Sequence, residues 1–198
     1  MKVLVAGATG AVGARLVPLL LAAGHRVAGL TRSPAKAEAL RQAGVEARVV
    51  DAFDRNAVRS AVLEARPEVV EMTALANASD LVHFDRAFAT TNRLRTAALD
   101  HLIAAAEESG ARRFVAQRFC GWPYARRGGP VKGEDDPLDP EPPRELRRTL
   151  DAIRTLESSV AGSRKLEGVV LRYGAFYRPR SGLFDGPFLA QLRAGACR

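Results

Sequence analysis

A glycine-rich turn near the N-terminus limits what this chain can fold into. Lys2–Ala6 is a short apolar run typical of a strand, and Ala11–Ala23 has the pattern of a helix. Gly7, Gly10 and Gly13 lie around the turn between them. The first glycine permits a tight bend, the second lets a diphosphate approach the backbone, and the third allows the helix to pack closely on the sheet. The turn therefore predicts a dinucleotide site at the helix N-terminus. The predicted binding residues are Gly7, Ala8, Thr9, Gly10, Ala11, Val12 and Gly13.

Strand-like and helix-like segments alternate along the rest of the chain. Further strands are predicted at His25–Leu30, Val45–Val50, Glu68–Met72, Arg113–Gln117 and Val169–Tyr173. Helices are predicted over 34–43, 54–65, 85–109 and 143–161. Because parallel strands joined by helices need cover on both faces, this order predicts an α/β fold with a doubly wound parallel sheet, the Rossmann fold.

The length favours one domain. We expect residues 1–198 to form it, with a long loop over 118–143 at the edge of the active site and a short tail over 178–198. With 47% hydrophobic and 26% charged residues, the composition is that of an ordinary globular protein.

Charge and hydropathy narrow the function classes. The net charge is +8, but the basic residues are spread along the chain with no aromatic-interleaved basic patch, so nucleic-acid binding is not expected. No apolar run approaches the roughly 20 residues that cross a membrane. We read no targeting segment, because the N-terminal apolar stretch is broken by glycines and makes a good first strand, and we expect a cytoplasmic protein.

Cysteine and histidine are sparse and scattered. Cys120 and Cys197 form no C-x-x-C motif, and His25, His83 and His101 match no ligand spacing. The sequence therefore predicts two free thiols and no metal site.

The spacing G-x-x-G-x-x-G, with Ala8-Thr9 between the first two glycines, resembles that of the short-chain dehydrogenase/reductase superfamily. The resemblance is to its extended and atypical branches, the NAD(P)-dependent epimerases and dehydratases, and runs from Met1 to about Tyr177. It implies a Rossmann fold, a nicotinamide cofactor and a small-molecule substrate.

The end of the second predicted strand indicates which cofactor is used. An acid there grips the ribose 2′-hydroxyl of NAD, whereas a basic residue accommodates the 2′-phosphate of NADP. Here the strand runs into Thr31, Arg32 and Ser33, with no acid. The guanidinium of Arg32 matches a phosphate, so NADP is favoured, and NAD remains open as an alternative.

Other positions match the superfamily by their place in the chain. Asp51 and Ala52 resemble the residues that meet the adenine ring, and Thr73 and Ala74 resemble the small-residue turn under the cofactor. Asn92 resembles the family's asparagine, although the Gly-Thr pair that follows it there is Arg95-Thr96 here.

The superfamily's catalytic pattern is not present. Its members use Tyr-x-x-x-Lys on a helix, where the lysine lowers the tyrosine pKa, and a serine after the fifth strand. Aligning on Glu157 puts the tyrosine position at Thr149 and the lysine position at Ile153, and the serine position falls near Arg118. No Tyr-x-x-x-Lys occurs anywhere in the chain.

A replacement acid or base must come from the long loop or from the end of the sixth strand. Tyr124 is the first candidate because it carries a phenol and follows the fifth strand, at the edge where such sheets place ligands. Packing against Trp122 is the alternative role for Tyr124. The other candidates are Glu134, Asp135, Asp136 and Tyr173.

The resemblance implies an NAD(P)-dependent oxidoreductase, or an epimerase/dehydratase-like protein, acting on a small carbonyl or hydroxyl compound. The missing Tyr/Lys pair keeps a non-catalytic dinucleotide sensor open as the alternative. Extended members carry a C-terminal substrate region, whereas about twenty residues follow Tyr177 here. We therefore expect a reduced substrate region, or one completed by the long loop and a partner subunit, which leaves a homo-oligomer open.

Overall fold

The computed structural model describes residues 1–73, 84–121, 123–174 and 193–194 of the chain. The strands in this part are β1 Lys2–Ala6, β2 Arg26–Thr31, β3 Glu46–Val49, β4 Val69–Met72, β5 Arg113–Phe119 and β6 Glu167–Tyr173. The helices are α1 Gly13–Ala22, α2 Pro34–Gln42, α3 Arg55–Ala65, α4 Phe84–Ala87, α5 Ala89–Arg93, α6 Leu99–Ser109 and α7 Arg144–Gly162.

The six strands form one parallel sheet in the order β3-β2-β1-β4-β5-β6. The chain builds outward from β1 to β3, then returns to place β4 on the other side of β1. This reversal is the switch point of a doubly wound sheet, outside whose carboxyl ends ligands bind. The predicted Rossmann fold is confirmed.

Apolar residues cover both faces of the sheet, as the strand pattern requires. One core packs α3, α6 and α7 against side chains such as Leu4, Val70 and Phe114. The other packs α1 and α2 against residues that include Val5 and Val27. Because β1 contributes to both cores, its carboxyl end and the glycine turn are held rigidly from both sides.

Two side chains in the sequence cap the helices that follow them. Ser33 caps α2 by accepting a hydrogen bond from the Lys36 backbone N–H at 3.3 Å, with Pro34 at the first helical position. Asp54 caps α3 in the same way, accepting from the Ala57 N–H at 3.0 Å. These caps fix where the helices that flank the carboxyl edge begin.

The helix predicted over 85–109 is not continuous. It consists of α4, α5, a π-helical turn over Leu94–Ala98, and α6. The Thr96 hydroxyl lies 3.0 Å from the carbonyl oxygen of Asn92 and 3.4 Å from that of Arg93, within reach to donate to either. A hydroxyl that bonds these carbonyls competes with the backbone N–H groups for them, and it does so where the turn widens.

The loop predicted to begin at residue 118 begins later. Arg118 and Phe119 pair in parallel register with Arg172 and Tyr173, so both belong to β5. The loop therefore runs from residue 120, and within it Tyr124 and Leu138 form an antiparallel bridge. No helix in the described ranges has both the length and the apolar composition that a bilayer crossing requires.

Candidate functional site

The turn after β1 has the strained geometry that its glycines allow. Gly7 has φ of 99°, a conformation that costs side-chain-bearing residues free energy. Gly10 then donates its N–H to the Gly7 carbonyl at 2.9 Å. A Cβ on Gly13 would lie 2.2 Å from the Gly7 oxygen, so α1 touches the turn directly. The close contact is with this turn, which positions the N-terminus of α1 beside the end of β1.

The N-terminus of α1 is open to an anion. Helix α1 has no capping side chain and no acid in its first turn. Within the described residues, the N–H groups of Ala11, Val12 and Gly13 have no backbone acceptor. Unpaired N–H groups at a helix N-terminus, together with the helix dipole, favour phosphate. The main chain here fits a diphosphate.

A cleft of about 510 Å³ lies over the carboxyl edge beside this turn. Ten of the fourteen residues predicted to bind a cofactor line it: Gly7, Thr9, Gly10, Ala11, Thr31, Arg32, Ser33, Asp51, Ala52 and Thr73. Ala8 is buried in the core under the turn, and Val12 and Gly13 do not line the cleft. Ala74 lies outside the described residues. The sheet thus brings four separate predicted segments to one cavity.

The end of the cleft beside β2 is basic. Arg32 and Lys36 both line it, and both are exposed. No acid occurs between Thr31 and Lys36. The sequence analysis did not predict Lys36. Its position in the first turn of α2, directly after the Ser33 cap, could have indicated a second cation beside Arg32. This end offers two cations to an anionic group.

The floor of the cleft is tied together by short polar contacts. Asp51 accepts a hydrogen bond from the Phe53 N–H at 3.0 Å. The Phe53 ring also lines the cleft and has the guanidinium of Arg93 at 4.1 Å from its centroid. Thr73 donates its hydroxyl toward the carbonyls of Ala6 and Gly7, at 3.4 Å each. The Thr73 contacts join the ends of β1 and β4, and the Asp51 contact shapes the turn after β3.

The two helix positions aligned with the superfamily's Tyr and Lys are buried in this chain. Thr149 is 1% exposed and accepts a hydrogen bond from Asn92 Nδ2 at 2.9 Å. Ile153 is fully buried one turn later. Neither side chain titrates near neutral pH.

Tyr124 lies against two arginines at the carboxyl end of β5 and β6. Its hydroxyl accepts a hydrogen bond from Arg172 Nη1 at 3.3 Å. Its ring centroid is 5.3 Å from the Arg118 Cζ and 5.8 Å from the Arg172 Cζ. Glu157 on α7 joins both arginines, at 2.6 Å from Arg118 Nε and 2.9 Å from Arg172 Nε. The predicted phenol is therefore positioned by a carboxylate-linked pair of cations.

Arg95, on the π-helical turn, was not predicted to be inside the protein. It is 1% exposed, and its Nε and Nη1 atoms have no hydrogen-bond partner. Burial, together with the nearby charge of Arg118, lowers its pKa to about 10. Arg118 is itself fully buried, with its Nη2 unpaired. The one signal in the sequence was that Arg95-Thr96 stands where the family has Gly-Thr.

The remaining candidates divide between the loop and the sheet. Asp136 accepts the Gly133 N–H at 2.7 Å, which shapes the loop, and Glu134 and Asp135 are exposed. Burial raises the pKa of Tyr173, and the charge of Glu71 raises it further. Glu71 on β4 was missed, and burial raises its pKa to about 7. No cluster of three or more metal-ligating side chains occurs in the ranges that the structure describes.

Comparison with known proteins agrees with this geometry. A family model described as NAD(P)H-binding matches residues 7–183. The chain belongs to this NAD(P)H-binding family. The match covers the glycine turn, the cleft and the cluster around Tyr124.

Individual relatives of this NAD(P)H-binding protein are reductases and epimerases. A 3-diazoavenalumate denitrifying reductase from a Streptomyces species is 46% identical over 200 aligned residues, covering 98% of this chain and 63% of the relative. The chain thus spans less than two thirds of that relative's length.

Two solved structures show the shared fold. Thermus thermophilus UDP-glucose 4-epimerase in complex with NAD superposes with a TM-score of 0.71 at 26% identity, over 98% of this chain and 61% of the epimerase. Yeast methylglyoxal/isovaleraldehyde reductase with NADPH has a TM-score of 0.71 at 18% identity, over 90% of this chain and 59% of the reductase. The predicted relationship to short-chain dehydrogenases/reductases of the epimerase/dehydratase type is confirmed, and the cofactor is of the NAD(P) class.

Proposed function

We propose that the protein binds NADP(H) in the cleft and reduces a small electrophilic substrate at the carboxyl end of β4, β5 and β6. The observation that carries the proposal is the open N-terminus of α1 facing a cleft whose β2 end holds Arg32 and Lys36. The unpaired N–H groups fit a diphosphate, and the two cations fit a 2′-phosphate.

The choice of cofactor is tested by removing the two cations. A charge-assisted hydrogen bond contributes about 1.5–3 kcal/mol, so Arg32→Ala should weaken NADP binding by roughly ten- to a hundredfold. Lys36→Ala should weaken it as well, and NAD affinity should stay nearly constant in both. Calorimetric titration measures this, with Arg164→Ala as the control, because Arg164 is an exposed arginine on the loop between α7 and β6. Equal weakening of NAD and NADP would refute the assignment.

The missing Tyr/Lys pair limits which reductions the site can catalyse. When bound, the nicotinamide supplies a hydride to the substrate. A carbonyl that accepts a hydride also needs a proton on its oxygen, and neither Thr149 nor Ile153 has a group that releases one near neutral pH. Tyr124 is the phenol we assign to that proton transfer.

A different substrate class needs no acid at all. A diazonium group that accepts a hydride leaves as N₂, and the carbon keeps the hydrogen, so charge and atoms balance without a proton donor. The Streptomyces relative is named as a reductase that denitrifies a diazo compound. Reduction of such an electrophile is compatible with a site that has no Tyr/Lys pair, and it is our first choice of reaction.

The two reactions are separated by one variant. With NADPH in excess, we compare consumption of an arenediazonium salt and of a small aldehyde by wild type and Tyr124→Phe. Loss of a general acid costs roughly 10²–10⁴-fold in rate, so aldehyde reduction should collapse while diazonium reduction survives. Unchanged aldehyde reduction would remove Tyr124 as the acid. NADPH binding without turnover of either compound would favour the sensor alternative.

A further inference from the structure

Two arginine side chains and one carboxylate meet between α7 and the carboxyl end of β5 and β6, and a third arginine, Arg95, is buried on the π-helical turn that packs against α7. Arg118 and Arg172 share Glu157 as their counter-ion. Arg95 has no ion-pair partner among the described residues. Three positive charges against one negative leave the cluster two charges in excess.

The register of two helices places Arg95 inside this cluster. The helical segment from α5 to α6 and helix α7 both join parallel strands on the same face of the sheet, so they run in the same direction. The hydrogen bond from Asn92 to Thr149 sets their register. One turn further along, Arg95 comes level with Ile153, one turn before Glu157. Its guanidinium is therefore close enough to that of Arg118 for the Arg118 charge to lower the pKa of Arg95.

The unpaired donors are unusual in a folded protein. Nε and Nη1 of Arg95 and Nη2 of Arg118 are buried without any acceptor. Burying an unpaired cation costs folding free energy, and natural proteins pair such groups or use them. Donors left unpaired in the free protein are available to a ligand.

We propose that Arg95 and Arg118 form a binding site for a carboxylate group of the substrate. The inference rests on the proposed function and narrows its substrate to small organic acids. A planar carboxylate supplies the acceptors that the three unpaired nitrogen atoms lack, and it offsets the excess charge. The site lies at the carboxyl end of β5, where sheets of this kind bind ligands.

Tyr124 stands at the entrance to this site. Its half-buried ring covers Arg118, 5.3 Å from the guanidinium carbon, and is held by the 3.3 Å hydrogen bond from Arg172. A carboxylate that reaches Arg118 from the carboxyl edge displaces this ring, which brings the substrate into contact with Tyr124. The anion site and the assigned acid are thus adjacent.

The experiment uses benzoate as the probe and benzamide as its neutral isostere. Both are titrated by calorimetry into the full chain saturated with NADPH, for wild type, Arg95→Met, Arg95→Lys and the control Arg126→Met. Arg126 lies exposed on the same loop as Tyr124. We expect benzoate to bind wild type and the control, benzamide not to bind, and Arg95→Met to lose about tenfold or more in benzoate affinity.

Stability distinguishes this site from a structural role. Because Nε and Nη1 of Arg95 are buried without a hydrogen-bond partner, Arg95→Met without ligand should melt at the wild-type temperature or higher. A lower melting temperature of Arg95→Met, with Arg95→Lys unchanged, would show a structural ion and overturn the proposal. Equal benzoate affinity of wild type and Arg95→Met would also overturn the proposal. So would binding of benzamide to wild type as tight as that of benzoate. Failure of NADPH to bind would instead overturn the proposed function, whereas NADPH binding without benzoate binding overturns this inference alone.

Discussion

Gly13→Ala tests the link between the glycine turn and the helix that follows it. The added Cβ would lie 2.2 Å from the Gly7 oxygen and 2.7 Å from the Ala8 Cα, whereas ordinary contacts begin at 3.4 Å. The helix must therefore retreat by about 1.2 Å, because the obstructing atoms belong to the backbone. Overpacking of this kind costs roughly 1–3 kcal/mol, which lowers Tm by roughly 2–12 °C in a chain of this length. The retreat also moves the α1 N–H groups, so NADPH affinity should fall.

Gly10→Ala is the matched control in the same turn. Its Cβ would meet a single atom, the Gly7 oxygen, at 3.2 Å, and Gly10 has no positive φ. This variant should melt close to wild type and still lose NADPH affinity, because its methyl group occupies space needed by the diphosphate. Thermal unfolding and NADPH fluorescence titration measure both quantities. Equal Tm values for Gly13→Ala and wild type would refute the packing argument, and full NADPH affinity in Gly10→Ala would refute the placement of the diphosphate.

Three further outcomes follow from polar groups that are buried or partly buried. Burial raises the pKa of Glu71 from 4.5 to about 7, so the folded protein keeps a proton that the unfolded chain loses, and stability falls as pH rises through this window. The free energy of unfolding of Glu71→Gln should therefore exceed that of wild type by roughly 3 kcal/mol at pH 8 and equal it at pH 4. Urea unfolding measures this, and the same difference between variant and wild type at every pH would contradict it. Glu157→Gln leaves two cations without their carboxylate and should cost about 3 kcal/mol, whereas the exposed Glu108→Gln should leave Tm unchanged, and equal Tm values would disprove the burial argument. Thr149→Val removes the acceptor of Asn92 and should cost about 1–3 kcal/mol without changing turnover, so a lost rate at unchanged stability would show a catalytic role.

The parts of the fold that follow local rules could be predicted from the sequence. Ser33 and Asp54 cap their helices because each offers an oxygen to the N–H three residues later. The parallel sheet follows from the alternation of short apolar runs with helices, and the glycine turn follows from its place between the first two elements. Such signals lie within a few residues of their consequences.

The chemistry around Arg95 could not be predicted, because its determinants are far apart in the chain. Arg118 and Glu157 are 39 residues apart, and a charged residue in a sequence is expected at the surface. Glu71 likewise looked like one polar residue in an apolar strand, and its raised pKa depends on burial by the assembled sheet. The cofactor cleft was easier to predict, because the carboxyl ends of β1, β2, β3 and β4 lie at one edge of the sheet by topology alone.

The π-helical turn over Leu94–Ala98 makes the chain intolerant of a change in length there. Each residue of an α-helix advances about 100° around the axis, so deleting one residue would turn everything before the deletion by that angle relative to everything after it. Asn92 faces Thr149 before the turn, and Leu99 and Leu102 are buried in the core after it. A chain shortened by one residue could keep either the contact before the turn or the packing after it, but not both. Insertions and deletions among members of this family should therefore accumulate elsewhere, in the loop from residue 120 to 143. A change in length there does not rotate a packed helix relative to its contacts.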